Sequence, residues 1–336
     1  MEQASDSTAW LAKRDGTLII GHGPFHPSAE PSPDGVSFYV QDFGLEDALP
    51  WKTPSRIERT TVAEATCKPD APLTCQWSPV DAAPFSVVFQ EIMSAIHSGV
   101  FEKTVPVVTE IGKTEGCLGP SIQAAMIRQS APLYTYGWLL AGKGFAGATP
   151  ELLFSLKGHQ LATMALAGTA RSEDREVFAV DEKEIREHEY VAQTLVSKLL
   201  DLGTVKRCSR EILDLGTIVH FLTLISLQLH DLQKPETLIR RLHPTPALGP
   251  LPRTGETLSL LLDWRHRLGS PREFGAPFGL WDRGEFHAVV AIRGIWWEDG
   301  KLMLPAGCGI IEASRLVNEW RELRLKREAV KTFLLP

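Results

Sequence analysis

The sequence has no uninterrupted apolar run approaching the roughly 18 residues of a membrane-spanning helix, so no membrane association is expected. Cysteine is sparse: Cys67, Cys75, Cys117, Cys208 and Cys308 are odd in number, scattered and never spaced as CxxC. That pattern excludes a cysteine zinc site and fits a reducing cytosol. Positive charge is not in excess, since 35 Lys and Arg against 41 Asp and Glu leave a net charge of -6. Nucleic acid is therefore a poor partner, and an anionic small substrate needs local basic groups. The opening MEQASDSTAW has acidic and polar residues where a signal peptide carries positive charge and an apolar run, so a cytoplasmic location is expected. Neither a solenoid-period repeat nor a low-complexity tract is present.

What remains is an ordinary globular composition, 43% hydrophobic and 23% charged, over 336 residues. That length allows one large domain or two closely packed halves. Residues 1–80 are rich in Pro, Ser, Asp and Gly, with strand-like TLIIG (17–21) and VSFYV (36–40) between turns. Phe85, Val88, Phe89, Ile92 and Ile96 follow helical spacing and stop at Ser98-Gly99. Strands are expected at TVPVVTE (104–110), YTYGWLL (134–140) and ELLFSL (151–156), with a helix near 120–129. A long half-buried helix is expected over about 180–202 and a second over about 211–229, followed by the proline-bound loop LHPTPALG (242–249). AVVAIRGIWWEDGKLMLPAG (288–307) has two β-rich runs around Asp299-Gly300, a hairpin signal, and a charged amphipathic helix closes the chain from Ser314 to about Phe333. The irregular mixture favours an α+β fold.

Several constellations carry chemistry. In KEIREHE (183–189), Glu184, Glu187 and His188 share a helix face, and in EWRELRLK (319–326) Glu319 and Glu322 are three apart, with Lys326 a turn beyond. Two such helices could hold a hard cation with oxygen ligands; a merely solvated charged face is the alternative. ALAGTAR (165–171) and AGCGI (306–310) are small-residue turns whose amides could meet an anion. Arg293 interrupts an apolar strand and needs either a carboxylate ligand or an internal acid. Lys103 is a general-base candidate if burial lowers its pKa and otherwise a surface lysine. His188, His220 and His243 are open to ordinary core hydrogen bonding.

Taken in order, FEKTVPV (101–107), FAGATPELLF (145–154), ALAGTAR, KEIREHE, VHFLT (219–223), LHPTPALG, FGAPFG (274–279), AIRG (291–294), AGCGI and EWRELRLK resemble the chorismate-utilising enzymes. The resemblance runs from about residue 85 to 330. It implies a central antiparallel β-sandwich with helices outside: strands in 1–84 complete the fold, 85–336 form the chorismate-binding catalytic region, and the whole is one compact domain. It implies Lys103 as the base that activates water and Glu151 as the acid that protonates the departing C4 hydroxyl. It implies Mg2+ held by Glu187 and Glu322, supported by Glu184 and Glu319. It implies substrate contacts at Gly168, Thr169, His220, Ala247, Leu248, Arg293, Gly307, Gly309 and Lys326. Val108, where relatives have arginine, and Cys308, where they have a small residue, remove no catalytic group.

Ala167 stands where the aminodeoxychorismate synthases that react covalently place a nucleophilic lysine, which points to a water-using member. Ala247-Leu248 and Phe274 resemble isochorismate synthases. The resemblance thus implies isochorismate formation for menaquinone or siderophore synthesis, by a monomer acting on chorismate without a glutamine amidotransferase subunit. Salicylate synthase, which goes on to eliminate pyruvate, is the second reading, and a non-catalytic chorismate-binding protein the third.

Overall fold

The computed structural model describes residues 7–66, 75–114, 118–129 and 131–334. β-Branched and aromatic residues build strands that join, all antiparallel, into one sheet of seventeen. Gly203–Arg207 and Glu211–Asp214 lie on the outer edge of Ile218–Leu229. The order then passes through Gln160–Arg171, Leu152–Lys157, Glu285–Val290, Pro277–Asp282 and Val36–Val40 to Trp51–Thr61. Thr17–Ser28 and Thr8–Ala12 carry it to Tyr134–Leu140 and Lys143–Thr149. Gly294–Glu298, Lys301–Gly307, Val107–Lys113 and Gln76–Trp77 complete it.

The sheet folds back on itself. Phe278 is several strands removed from Tyr136 and Phe145 in that order, yet its ring centroid lies 5.6 Å from the first and 5.9 Å from the second. Aromatic side chains from the two layers thus fill one interior, each burial contributing about 1.5–3 kcal/mol. This is the expected α+β sandwich, with helices packed outside. The strands before residue 62 occupy the middle of the order, and Trp10 and Trp51 are completely buried.

The Ala83–His97 helix buries the five apolar residues that its spacing singled out and stops before Gly99, whose φ is +78°. Asp181 caps the Glu182–Leu199 helix, accepting a hydrogen bond from the Glu184 amide at 3.0 Å. That helix lies on the Gln160–Arg171 and Ile218–Leu229 strands through Val191, Ala192, Leu195 and Leu199. The Leu316–Phe333 helix turns Leu323 and Val330 inward. The hairpin forms as Gly294–Glu298 and Lys301–Gly307, while residues 288–290 belong to the preceding strand.

Two expectations are corrected. Residues 211–229 are not a helix: Gly216, at φ +88°, turns the chain between two strands, and Leu222 to Leu229 alternate buried and exposed for most of their length. A run this rich in apolar residues carries both periods, and the twelve-residue strand Gln160–Arg171 beside it selects the extended one. The expected strand 104–110 is divided at Pro106, which has no N–H for a ladder. Lys103–Thr104 pairs with Ile310–Ile311, and Val107–Lys113 pairs with Lys301–Gly307.

Candidate active site

Apolar Phe101, Val105 and Val107 draw the segment around Lys103 inward and leave this lysine completely buried. An ammonium without water needs partners. Lys103 Nζ donates to the Pro246 carbonyl at 2.9 Å and meets Glu187 Oε1 at 3.1 Å. Beyond Glu187 opens a narrow cleft, walled by the ends of the strands and by the Pro244–Gly249 loop. Glu151 lines it, 3% exposed, at the start of the Leu152–Lys157 strand. Thr245 Oγ1 donates to Glu151 Oε1 at 2.9 Å. Burial pushes the Glu151 carboxyl up to about 7 against the opposing pull of Thr245, Lys103, Lys326 and Arg293.

Arg293 enters the cleft from a kink between strands, at φ +54°, which lets a guanidinium leave an otherwise apolar run. Its Nη2 lies 2.8 Å from His220 Nε2. His220 Nδ1 is 2.7 Å from the Gly168 carbonyl, so Nδ1 carries the proton and Nε2 accepts from Arg293. Burial first, and Arg293 second, hold this imidazole well below its ordinary pKa, in the neutral state that the pairing requires. Burial also lowers Arg293 to about 10, which leaves it charged at neutral pH. Gly168, at φ +77°, turns the chain so that the Thr169 amide donates to Glu184 Oε2 at 2.8 Å. Ala247 and Leu248 form an apolar wall.

Gly307 and Gly309 line the opposite side. A Cβ on Gly309 would fall 2.0 Å from Glu187 Oε1 and 2.9 Å from Lys103 Cε, so only glycine leaves these two side chains where they are. Lys326 Nζ donates to the Gly307 carbonyl at 2.9 Å and pairs with Glu322 at 2.6 Å.

Glu184 and Glu187 come from one helix, Glu319 and Glu322 from the other, and the four meet between this cleft and an outer basin. Glu319 is 1% exposed, and its carboxylate is thinly supported, with the Lys183 ammonium 3.5 Å from Oε1 and the Ser314 side chain beside it. Burial and then the Glu322 charge push it up to about 8, while burial raises Glu184 to about 7. Glu187 goes the other way: burial opposes its charge, but Lys103 and Lys183 outweigh it and hold it at about 2. Four carboxylates drawn from two helices are a donor set suited in chemistry to a hard divalent cation. Among the described residues no three such groups stand at metal-ligand spacing, and the Lys183 ammonium lies between these carboxylates.

The sequence profile of the chorismate binding enzymes matches residues 50–335. The chain belongs to that family. Among family relatives it is similar to the isochorismate synthase EntC of Escherichia coli K12, 26% identical over 332 residues, covering 92% of this chain and 79% of the relative. It is 30% identical over 262 residues to the salicylate biosynthesis isochorismate synthase of Pseudomonas aeruginosa, covering 73% of this chain and 53% of the relative. The solved structure of MenF, the menaquinone-specific isochorismate synthase of Escherichia coli, superposes with a TM-score of 0.82 at 19% identity, covering 99% of this chain and 90% of that one. The latter likeness is one of fold.

For this family member, the residues expected at the site converge with two qualifications. Lys103 abuts the cleft through Glu187 and Gly309 rather than lining it. His188 leaves the acidic face: its Nε2 lies 2.8 Å from Thr223 Oγ1, against the sheet, because one step along a helix turns a side chain by about 100°. His243 is likewise a core residue, with Nε2 2.8 Å from the Phe43 carbonyl. Two residues escaped the sequence reading. Thr245 gave no signal beyond its place between two prolines, whereas Lys183, four residues before Glu187, was legible as an ion-pairing partner. No helix among the described residues is long and apolar enough to cross a membrane.

Proposed function

We propose that the protein is an isochorismate synthase, which moves the hydroxyl of chorismate from C4 to C2 by adding water at C2 and expelling the C4 hydroxyl as water. The observation that carries this reading is the pairing, at one cleft, of a carboxyl raised to about 7 with a buried lysine. Glu151 supplies the proton that the departing hydroxyl takes, and Lys103, once it has left Glu187 and given up its own proton, accepts one from the attacking water; the double bonds shift around the ring between the two events. Arg293, oriented by His220, offers its remaining N–H groups to a substrate carboxylate, with Lys326 as a second cation. Ala247 and Leu248 supply the apolar wall against the ring, and Gly168, Thr169, Gly307 and Gly309 line the rest. Mg2+ held by Glu187 and Glu322, with Glu184 and Glu319 in support, would neutralise the ring carboxylate and the negative charge that develops on it. The burial of Glu319 beside the other three carboxylates supports that donor set.

Because water rather than ammonia is the nucleophile, no glutamine amidotransferase subunit is needed. The reading is of a cytoplasmic monomer whose product serves menaquinone or siderophore synthesis. Liquid chromatography of chorismate incubated with the purified protein, with Mg2+ and with EDTA, tests it. A Mg2+-dependent mixture of chorismate and isochorismate is expected. Salicylate with pyruvate would make it a salicylate synthase, and unchanged chorismate a binding protein.

A further inference from the structure

Lys183 occupies the centre of the acidic cluster. Its Nζ donates to Glu184 Oε1 at 2.8 Å and stands 3.5 Å from both Glu187 Oε2 and Glu319 Oε1. These contacts join the two acidic helices through one positive charge. Burial works against that charge, but the carboxylates of Glu187, Glu322, Glu319 and Glu184 outweigh it. The arrangement has the logic of a cation site filled by a side chain: a compact ammonium, three donors and oxygen acceptors on several sides. It is an imperfect filling. The ammonium stands 3.5 Å from Glu319 Oε1, farther than its 2.8 Å bond to Glu184, so this buried carboxylate is only loosely satisfied from the same spot.

The ammonium also has somewhere to go. A basin of about 1200 Å³ reaches Lys183 from outside, and Asp174, Asp181 and Glu328 on its wall offer the displaced charge new partners. Lys183 has 21% of its side chain exposed toward solvent, while Glu319 behind it has 1%.

We propose that Lys183 is a tethered counter-cation: it holds the four-glutamate cluster in the metal-free protein and must swing into the basin before a divalent cation binds, so that it sets the cation's affinity. This rests on the reading of the glutamates as a cation site. The ammonium and the ion compete for the same oxygens, and a site that is open in only a fraction of molecules binds more weakly by that fraction.

The test is direct cation binding by the full chain without substrate, Mn2+ followed by electron paramagnetic resonance and Mg2+ by calorimetry. Lys183→Gln is expected to bind either ion about tenfold more tightly than the wild type, corresponding to a site open in about one wild-type molecule in ten. Lys183→Arg, which keeps the charge, should not tighten binding. In the wild type, acetic anhydride should label Lys183 several-fold faster when Mg2+ is saturating, as read by peptide mass spectrometry; this arm decides the matter if the glutamine variant fails to fold. Equal or weaker binding by Lys183→Gln, or labelling indifferent to Mg2+, would overturn the counter-cation role and leave the cation site standing. No binding by the wild type or the variant would overturn the cation site itself, and this role with it.

Discussion

Glu151 is held near 7 chiefly because burial strips its carboxylate of water, and Thr245 alone among its neighbours donates a side-chain hydrogen bond that favours the charged form. A general acid must be protonated before it can act, so turnover falls as pH rises through this value. Replacing Thr245 with valine removes the donor and raises the carboxyl further. The alkaline limb of the kcat/KM profile should therefore move to higher pH in Thr245→Val; a limb that stays in place or moves down would deny Glu151 the acid's role. Lys103→Ala and Glu151→Gln should each lose about 100-fold or more in turnover, the usual share of a general base or acid, with circular dichroism unchanged. His220→Phe leaves the Arg293 guanidinium without its acceptor. KM for chorismate should rise more than kcat falls, since the substrate carboxylate loses an oriented partner.

At the scale of elements, the hairpin that ends at Gly307 and the short strand pair Ile310–Ile311 with Lys103–Thr104 bring Gly309 against Glu187 and Lys103. Gly309→Ala places a methyl carbon 2.0 Å from Glu187 Oε1 and 2.9 Å from Lys103 Cε, so the Glu187 carboxylate and the Lys103 side chain must shift from their paired positions. Turnover should drop by about 100-fold, the scale of a misplaced catalytic group, while thermal unfolding moves only a few degrees. Wild-type turnover in this variant would contradict the close approach.

These elements were unequally legible. The hairpin was announced by Asp299-Gly300 and the acidic helices by carboxylates three apart, because turns and helix faces are local. Residues 211–229 were not, since their apolar richness suits either period and a distant strand decides. The acid and base were assigned from motif resemblance; what no local pattern contains is that Pro246 and Thr245, on a loop more than ninety residues from Glu151 in sequence, supply the acceptor for Lys103 and the donor for Glu151.

Across the whole molecule, one antiparallel sheet folded on itself places the cleft where strand ends from both layers meet the two acidic helices. We infer a single cooperative unit, with the first strands inside the common sheet. Phe278 touches Tyr136 and Phe145 across the layers, so Phe278→Ala should cost about 3–5 kcal/mol and shift one calorimetric transition as a whole. Two transitions, of which only one moves, would mean separable halves. In the proposed reaction, water from solvent attacks C2 at this cleft. Chorismate incubated with the Mg2+-supplied protein in 18O-water, with the product read by mass spectrometry, should yield isochorismate carrying one heavy oxygen in its C2 hydroxyl. Isochorismate free of label would mean that the hydroxyl migrates without solvent water, and absence of isochorismate would contradict the proposed reaction altogether.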